Sequence, residues 1–206
     1  RRKFLFSGPP GTGKSMTAAA IAGELGLPLF LILLDGVITK FMGETAAKLR
    51  LIFDAMHSAR GVYFFDEVDA LAARRATDND VGEARRMLNS FLQFLEEDQS
   101  GSVIVAATNH RTLLDPAIFR RFDTVFVYAK PTAEEARQVL RNHLLTFDLD
   151  SIDWAKVDGQ VDGLSQADLV AAAGDAARDA VLDNESVLTT EIINQALKDR
   201  ASIHSD

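Results

Sequence analysis

Short, nearly continuous apolar runs alternate with longer amphipathic stretches through the first two thirds of the chain. The runs at residues 4–6, 28–34, 62–65, 103–107 and 125–128 have strand length. Their lack of polar alternation predicts buried strands of a parallel sheet covered on both faces. Between them, residues 14–25, 44–59, 82–96 and 115–121 carry helical spacing. Gly26-Leu27-Pro28 supplies a glycine and a proline that stop the first helix. Strand and helix in alternation predict an α/β fold with right-handed crossovers.

The strand pattern ends after Tyr128. Lys130-Pro131-Thr132 makes a break, and Thr132-Ala133-Glu134-Glu135 has the capping-box spacing that opens a helix. Helical stretches follow at 165–182 and 189–200, with turns at Asp162-Gly163 and Asp183-Asn184. A boundary is therefore predicted near 129–131, dividing an α/β domain over 1–129 from a small all-helical domain over 130–206. Residues 73–81, with Arg74-Arg75 and Asp78-Asn79-Asp80, read as a mobile loop.

Composition narrows the class. The 206 residues are 47% apolar and 25% charged, which is ordinary globular usage. With 13 Gly and 5 Pro the chain is neither fibrous nor of low complexity. No apolar run approaches the roughly 18 residues of a membrane span. The start, Arg1-Arg2-Lys3-Phe4-Leu5-Phe6-Ser7, mimics a signal peptide, but Gly8-Pro9-Pro10-Gly11 stands where its hydrophobic region should continue. The absence of cysteine excludes disulfides, thiolate metal sites and thiol catalysis, and fits a cytoplasmic protein. A net charge of −8 argues against a generic grip on nucleic acid, although a ring can hold a basic channel inside an acidic particle. With 13 Phe against one Trp and two Tyr, the aromatics read as core filler rather than stacking platforms.

Gly8-Pro9-Pro10-Gly11-Thr12-Gly13-Lys14-Ser15 matches the phosphate-loop pattern, with a predicted strand before it and a predicted helix after it. Its glycines let main-chain N–H groups converge on phosphate oxygens at a helix N-terminus. Lys14 then reaches the β- and γ-phosphates, and the Ser15 hydroxyl ligates Mg²⁺. Met16 is counted with the nucleotide-binding loop. The apolar run at 62–65 ends in Asp66-Glu67. Alone, such a pair is equally a solvated strand end. Beside a phosphate loop it lies where open α/β sheets bind ligands, so Asp66 can hold Mg²⁺ through water and Glu67 can polarise the attacking water. Asn109 closes the next apolar run, either as a turn former or as a group that touches the γ-phosphate or orients water. Arg120-Arg121 is either a solvated face or a pair that stabilises charge on a phosphate in flight.

Taken together, Gly8 to Ser15, Phe64-Phe65-Asp66-Glu67, Ala107-Thr108-Asn109 and Leu114-Asp115-Pro116-Ala117 resemble the AAA ATPases of the AAA+ superfamily, over nearly the whole chain. The resemblance implies the P-loop NTPase fold: a five-stranded parallel sheet flanked by helices, then a small helical lid. It implies a homo-oligomeric ring, usually hexameric, with ATP or ADP and Mg²⁺ at subunit interfaces. By the same resemblance Asn109 is the sensor-1 residue, and Arg120 and Arg121 are arginine-finger candidates acting on the neighbour's ATP. Many members have Arg-Pro-Gly-Arg-Phe-Asp where this chain has Phe119-Arg120-Arg121-Phe122-Asp123, which leaves the finger open between the two. Gly163-Leu164-Ser165-Gln166-Ala167-Asp168-Leu169 resembles a lid-helix start written with Gly-Ala-Asp, which assigns Gln166 and Ala167 to the base and sugar. His143 stands where relatives often place a base-contacting His.

Lys40-Phe41-Met42-Gly43-Glu44-Thr45 reads from its residues alone as an apolar pair in a glycine-containing loop. By resemblance it is like the pore loop of protein-remodelling AAA ATPases. There Lys40, Phe41 and Met42 would line the ring's axis and hold extended polypeptide by apolar contact. Residues 83–86 are candidates for a second pore-facing region. The expected function is an ATP-hydrolysing ring motor that remodels, unfolds or translocates protein. Two alternatives stand beside it. A nucleic-acid-directed AAA+ loader or translocase would favour basic pore residues, and an ATP-binding scaffold would have lost Glu67, Asn109 or the arginine pair. Relatives carry an upstream segment and often a recruiting domain, so the chain is expected to be a fragment whose adaptor or partner protease lies outside it.

Overall fold

The computed structural model describes residues 1–37, 42–71, 78–114, 116–183 and 186–203. Five strands, β1 (Lys3–Ser7), β2 (Leu29–Leu33), β3 (Val62–Asp66), β4 (Val103–Thr108) and β5 (Thr124–Val127), form one sheet in the order β2-β3-β4-β1-β5. Every pairing is parallel, so each connection crosses over. The crossovers contain α1 (Lys14–Leu25), α2 (Leu34–Val37), α3 (Met42–Ser58), α4 (Asp78–Glu97) and α5 (Pro116–Phe119).

The two-residue period of the strands sorts their side chains onto opposite faces. Leu5, Phe65, Ile104 and Ala106 pack with Phe53 and Met56 of α3 and with Phe91 and Leu95 of α4. Phe6, Phe64, Val105 and Ala107 pack with Ala18 and Ala22 of α1. Phe65 and Phe91 meet edge to face at 5.2 Å between ring centroids, a favoured aromatic geometry.

The outer strands differ from the sequence expectation of burial on both faces. β2 and β5 are the sheet's two edges, and Leu31, Leu33 and Val127 are more than half exposed. One slender, alanine-rich helix, α1, packs on β3 and its neighbours. Near-continuous apolarity thus marks strands correctly without marking their place in the sheet.

Helix α1 has the predicted bounds and ends in a Schellman turn. Gly26 adopts φ +62°, its N–H donates to the Gly23 carbonyl, and the Leu27 N–H donates to the Ala22 carbonyl at 3.0 Å. Helix α4 begins at Asp78, so residues 78–81, which the sequence assigns to a loop, are helical. The remainder of that expected loop, 73–77, lies outside the described residues. Helix α2 and two 3₁₀ turns, Val68–Leu71 and Arg111–Leu113, are too short to show a period.

The chain divides into two compact units, residues 1–8 with 14–128 and residues 9–13 with 129–206. The second contains α6 (Ala133–His143), α7 (Trp154–Asp158), α8 (Gln166–Asp183) and α9 (Thr190–Ile203). Thr132 caps α6 through the reciprocal box with Glu135. Ala172, Ala173, Ala176 and Ala180 give α8 a small-residue face, packed in a core with Ile193 and Leu197 of α9. The phosphate loop is therefore divided, with Gly8 and Lys14 in the first unit and 9–13 in the second.

Candidate functional site

In the first unit the parallel register brings the carboxyl ends of β1, β3 and β4 to one edge of the sheet, with Ser7 opposite Thr108. Gly8 follows β1, and its N–H donates to the Thr108 carbonyl at 3.2 Å. A Cβ added to Gly8 would collide with the Tyr128 carbonyl oxygen, so no larger residue fits there.

Lys14 opens α1 and is only 6% exposed. Its Nζ donates to the Gly8 carbonyl at 2.8 Å. Burial pushes its pKa below the usual lysine value, while the carboxylates of Asp66 and Asp69 act in the opposite direction. Ser15 and Met16 stand exposed on the same helical turn.

Asp66 ends β3 half-buried, and its Oδ1 accepts the Glu67 N–H at 2.9 Å. Glu67 has φ +54°, a left-handed conformation that costs a non-glycine residue energy. Its side chain is exposed, and its carbonyl accepts the Ala70 N–H at 2.8 Å, closing the 3₁₀ turn. Asp66 and Ser15 offer the hard oxygen donors that Mg²⁺ takes alongside phosphate, and the buried Lys14 ammonium suits the phosphate itself.

Asn109 follows β4, half-buried, and its N–H donates to Asp69 Oδ1 at 3.3 Å. Asp69 sits in the 3₁₀ turn and is 7% exposed. The sequence motif ends at Asp66-Glu67 and does not reach it. The only signal for Asp69 is that it is a third acid, two residues further on, in a segment otherwise apolar enough to be buried.

The two arginines part company. Arg120 is exposed in the turn after α5, whereas Arg121 Nε pairs with Glu96 Oε1 of α4 at 2.7 Å. Asp123, just beyond, accepts the Arg2 and Lys3 N–H groups at 2.7 and 3.0 Å.

In the second unit, Gly11 and Gly13 take φ +73° and +93°, and Thr12 Oγ1 donates to the Pro9 carbonyl at 2.8 Å. Pro10 is exposed. The Ala167 N–H donates to the Gly11 carbonyl at 3.0 Å, and a Cβ added to Gly11 would collide with Ser165 Oγ. Ser165 caps α8 in a reciprocal box with Asp168, its Oγ donating to Asp168 Oδ2 at 2.6 Å. Gln166 is half-buried, Ala167 exposed, and His143 exposed at the end of α6. Lys40 and Phe41 lie outside the described residues, and Met42 opens α3. Residues 83–86 fall within α4.

Residues 4–129 match the sequence profile of the ATPase family associated with various cellular activities (AAA). The chain is 36% identical to an uncharacterized AAA family ATPase, y4kL, of Sinorhizobium fredii, over 98% of this chain and 61% of that protein. It is 35% identical to the ATP-dependent zinc metalloprotease FtsH of Mesoplasma florum, over 94% of this chain and 31% of the relative. It is 33% identical to the proteasome-activating nucleotidase of Thermococcus onnurineus, over 94% of this chain and 50% of the relative. The chain thus spans between about a third and three fifths of the length of these curated relatives. Among solved structures, the crystal structure of the FIGL-1 AAA domain matches with a TM-score of 0.71 and 25% identity, over 95% of this chain and 70% of that one.

Proposed function

The chain belongs to the AAA family of ATPases, and we propose that it is the ATP-hydrolysing motor module of a ring that remodels protein substrates. The observation that carries hydrolysis is the convergence at the carboxyl ends of the parallel strands: Lys14, buried and favoured in its charged form by the Asp66 carboxylate, with Asn109 at the end of the adjacent strand. Lys14 holds the β- and γ-phosphates, Glu67 takes a proton from the attacking water, and Asn109 orients that water against the γ-phosphate. Ser15, and Asp66 through water, would hold Mg²⁺, which would supply charge neutralisation at the phosphate oxygens. In the lid, His143, Gln166 and Ala167 carry the base and sugar contacts that the family resemblance assigns.

The exposure of Arg120, set against the pairing of Arg121 with Glu96, supports giving the finger to Arg120. A planar, permanently charged guanidinium reaching a neighbouring subunit's γ-phosphate supplies charge stabilisation to a phosphate in flight. Arg121 then anchors the turn.

Protein as substrate is supported by the relatives, since their names join ATP dependence to a metalloprotease and a nucleotidase to the proteasome. The net charge of −8 weighs against nucleic acid. Among the described residues no helix is long and apolar enough to cross a membrane. ATP turnover measured with an unfolded protein and, separately, with duplex DNA tests this reading. Stimulation by the polypeptide and its loss in Phe41→Ala, with basal turnover kept, are expected. Stimulation by DNA alone would overturn the protein-remodelling assignment.

A further inference from the structure

Asp69 is a buried carboxylate that neither binds nucleotide nor exchanges a proton in the reaction described above. It lies in the 3₁₀ turn Val68–Leu71, just after Glu67, and is 7% exposed. A carboxylate taken so far from water needs partners, and those of Asp69 come from the end of β4 and the start of α1. Its Oδ1 accepts the main-chain N–H of Asn109, forty positions along the chain at the end of β4. Its charge also acts on Lys14, which follows β1.

The chain around Asp69 leaves little freedom. Asp66 Oδ1 holds the Glu67 N–H, and the Glu67 carbonyl holds the Ala70 N–H. The turn carrying Asp69 is thus closed on itself by the second bond and joined to the last residue of β3 by the first. On the other side, the His110 N–H donates to Thr108 Oγ1 at 3.1 Å, so the residue after Asn109 is tethered as well.

We propose that Asp69 is a positioning residue for hydrolysis: by accepting the Asn109 N–H it locks the loop after β4 to the turn carrying Glu67. The water-polarising and water-orienting groups are thereby held in one geometry. Asp69 touches no reacting atom and works through Asn109. A misplacement of about 1 Å in a reacting group costs on the order of a hundredfold in rate, which sets the scale of what the tether protects. The proposal rests on the reading of Asn109 as a group acting in ATP hydrolysis.

The test is a cycle of intact chains: wild type, Asp69→Ala, Asn109→Ala and the double variant, with Asp69→Asn alongside. Nucleotide dissociation constants and kcat are measured separately, and melting temperature checks folding. Asp69→Ala is expected to lower kcat about tenfold to a hundredfold, with nucleotide affinity within about threefold of wild type. Asp69→Asn keeps an acceptor oxygen of the same shape and should stay within about threefold of wild-type kcat. The double variant should be no slower than Asn109→Ala, because both changes disable the same group. Losses that multiply in the double variant would overturn the proposal, as would an Asp69→Asn chain that folds but is as slow as Asp69→Ala. If Asn109→Ala alone leaves kcat unchanged, the role of Asn109 fails first, and the proposal fails with it.

Discussion

The Lys14 ammonium donates to the carbonyl of Gly8 at 2.8 Å, across a loop whose middle five residues group with the other compact unit. One buried cation therefore ties the start of α1 back to the end of β1. Lys14→Ala removes both that tie and the positive charge proposed to hold the phosphates. Nucleotide affinity should fall by at least about tenfold, the effect of one charge-assisted contact. Equilibrium binding of a fluorescent ATP analogue checks it, and unchanged affinity would remove the phosphate-loop assignment.

Gly11 makes a second, independent demand on the same loop. Its φ of +73° and the closeness of Ser165 Oγ to any added Cβ leave no room for alanine. Gly11→Ala should destabilise the chain by more than about 1–2 kcal/mol, the left-handed penalty alone, and weaken nucleotide binding. Gly23→Ala is the control. Gly23 lies in α1 with nothing within 4 Å of an added Cβ, so the change should stabilise by about 0.4–1 kcal/mol. Thermal melting of the two variants should move in opposite directions.

The arginine turn offers a third prediction. Arg120→Ala should abolish turnover and leave the subunit's own ATP binding intact. Mixing it with Glu67→Gln chains should restore activity at interfaces that join an intact Glu67 to an intact Arg120. Arg121→Ala and Glu96→Ala should each cause a smaller loss, and together no more than the larger one, because they break the same pair. Full activity in Arg120→Ala, or no recovery in verified mixed rings, would contradict the trans role.

Acid sensitivity has an identifiable source in the same unit. Burial pushes the Asp98 carboxyl upward, but hydrogen bonds from Arg2 and Ser100 more than offset it and hold the group below the usual carboxylate value. A depressed folded-state value contributes stability above the ordinary carboxylate range, and that contribution is lost as pH falls through the folded value. Asp98→Asn should therefore be less stable than wild type near neutrality and lose less on acidification from about pH 5 to about pH 2. Melting curves across that range check it; parallel pH profiles would refute the assignment.

Much of this architecture is legible where a local rule carries it. The bounds of α1 follow from the phosphate loop before it and Gly26 after it, and the Thr132–Glu135 box is readable from spacing alone. Asp69 is different, because its proposed role rests on a hydrogen bond to a residue at the end of another strand, and no local pattern encodes that pairing. The exposure of Leu31 and Leu33 is hidden for a related reason: strand order is a tertiary property, and an edge strand can be as apolar as a central one. Arg120 and Arg121 look equivalent in sequence until Glu96 arrives from α4 and claims one of them.

Glu67 bears the central claim, that this chain hydrolyses ATP rather than merely holding it. Its side chain is exposed and its left-handed backbone is indifferent to whether the side chain ends in acid or amide, so Glu67→Gln changes chemistry without changing fold. General-base catalysis is worth about a hundredfold to ten-thousandfold. The decisive measurement is ATP binding and hydrolysis by Glu67→Gln and wild-type chains under the same ring-forming conditions. Unchanged ATP affinity with hydrolysis reduced at least about a hundredfold is the predicted result. Hydrolysis by Glu67→Gln within about threefold of wild type would contradict the account, because the water would then be activated by some other group.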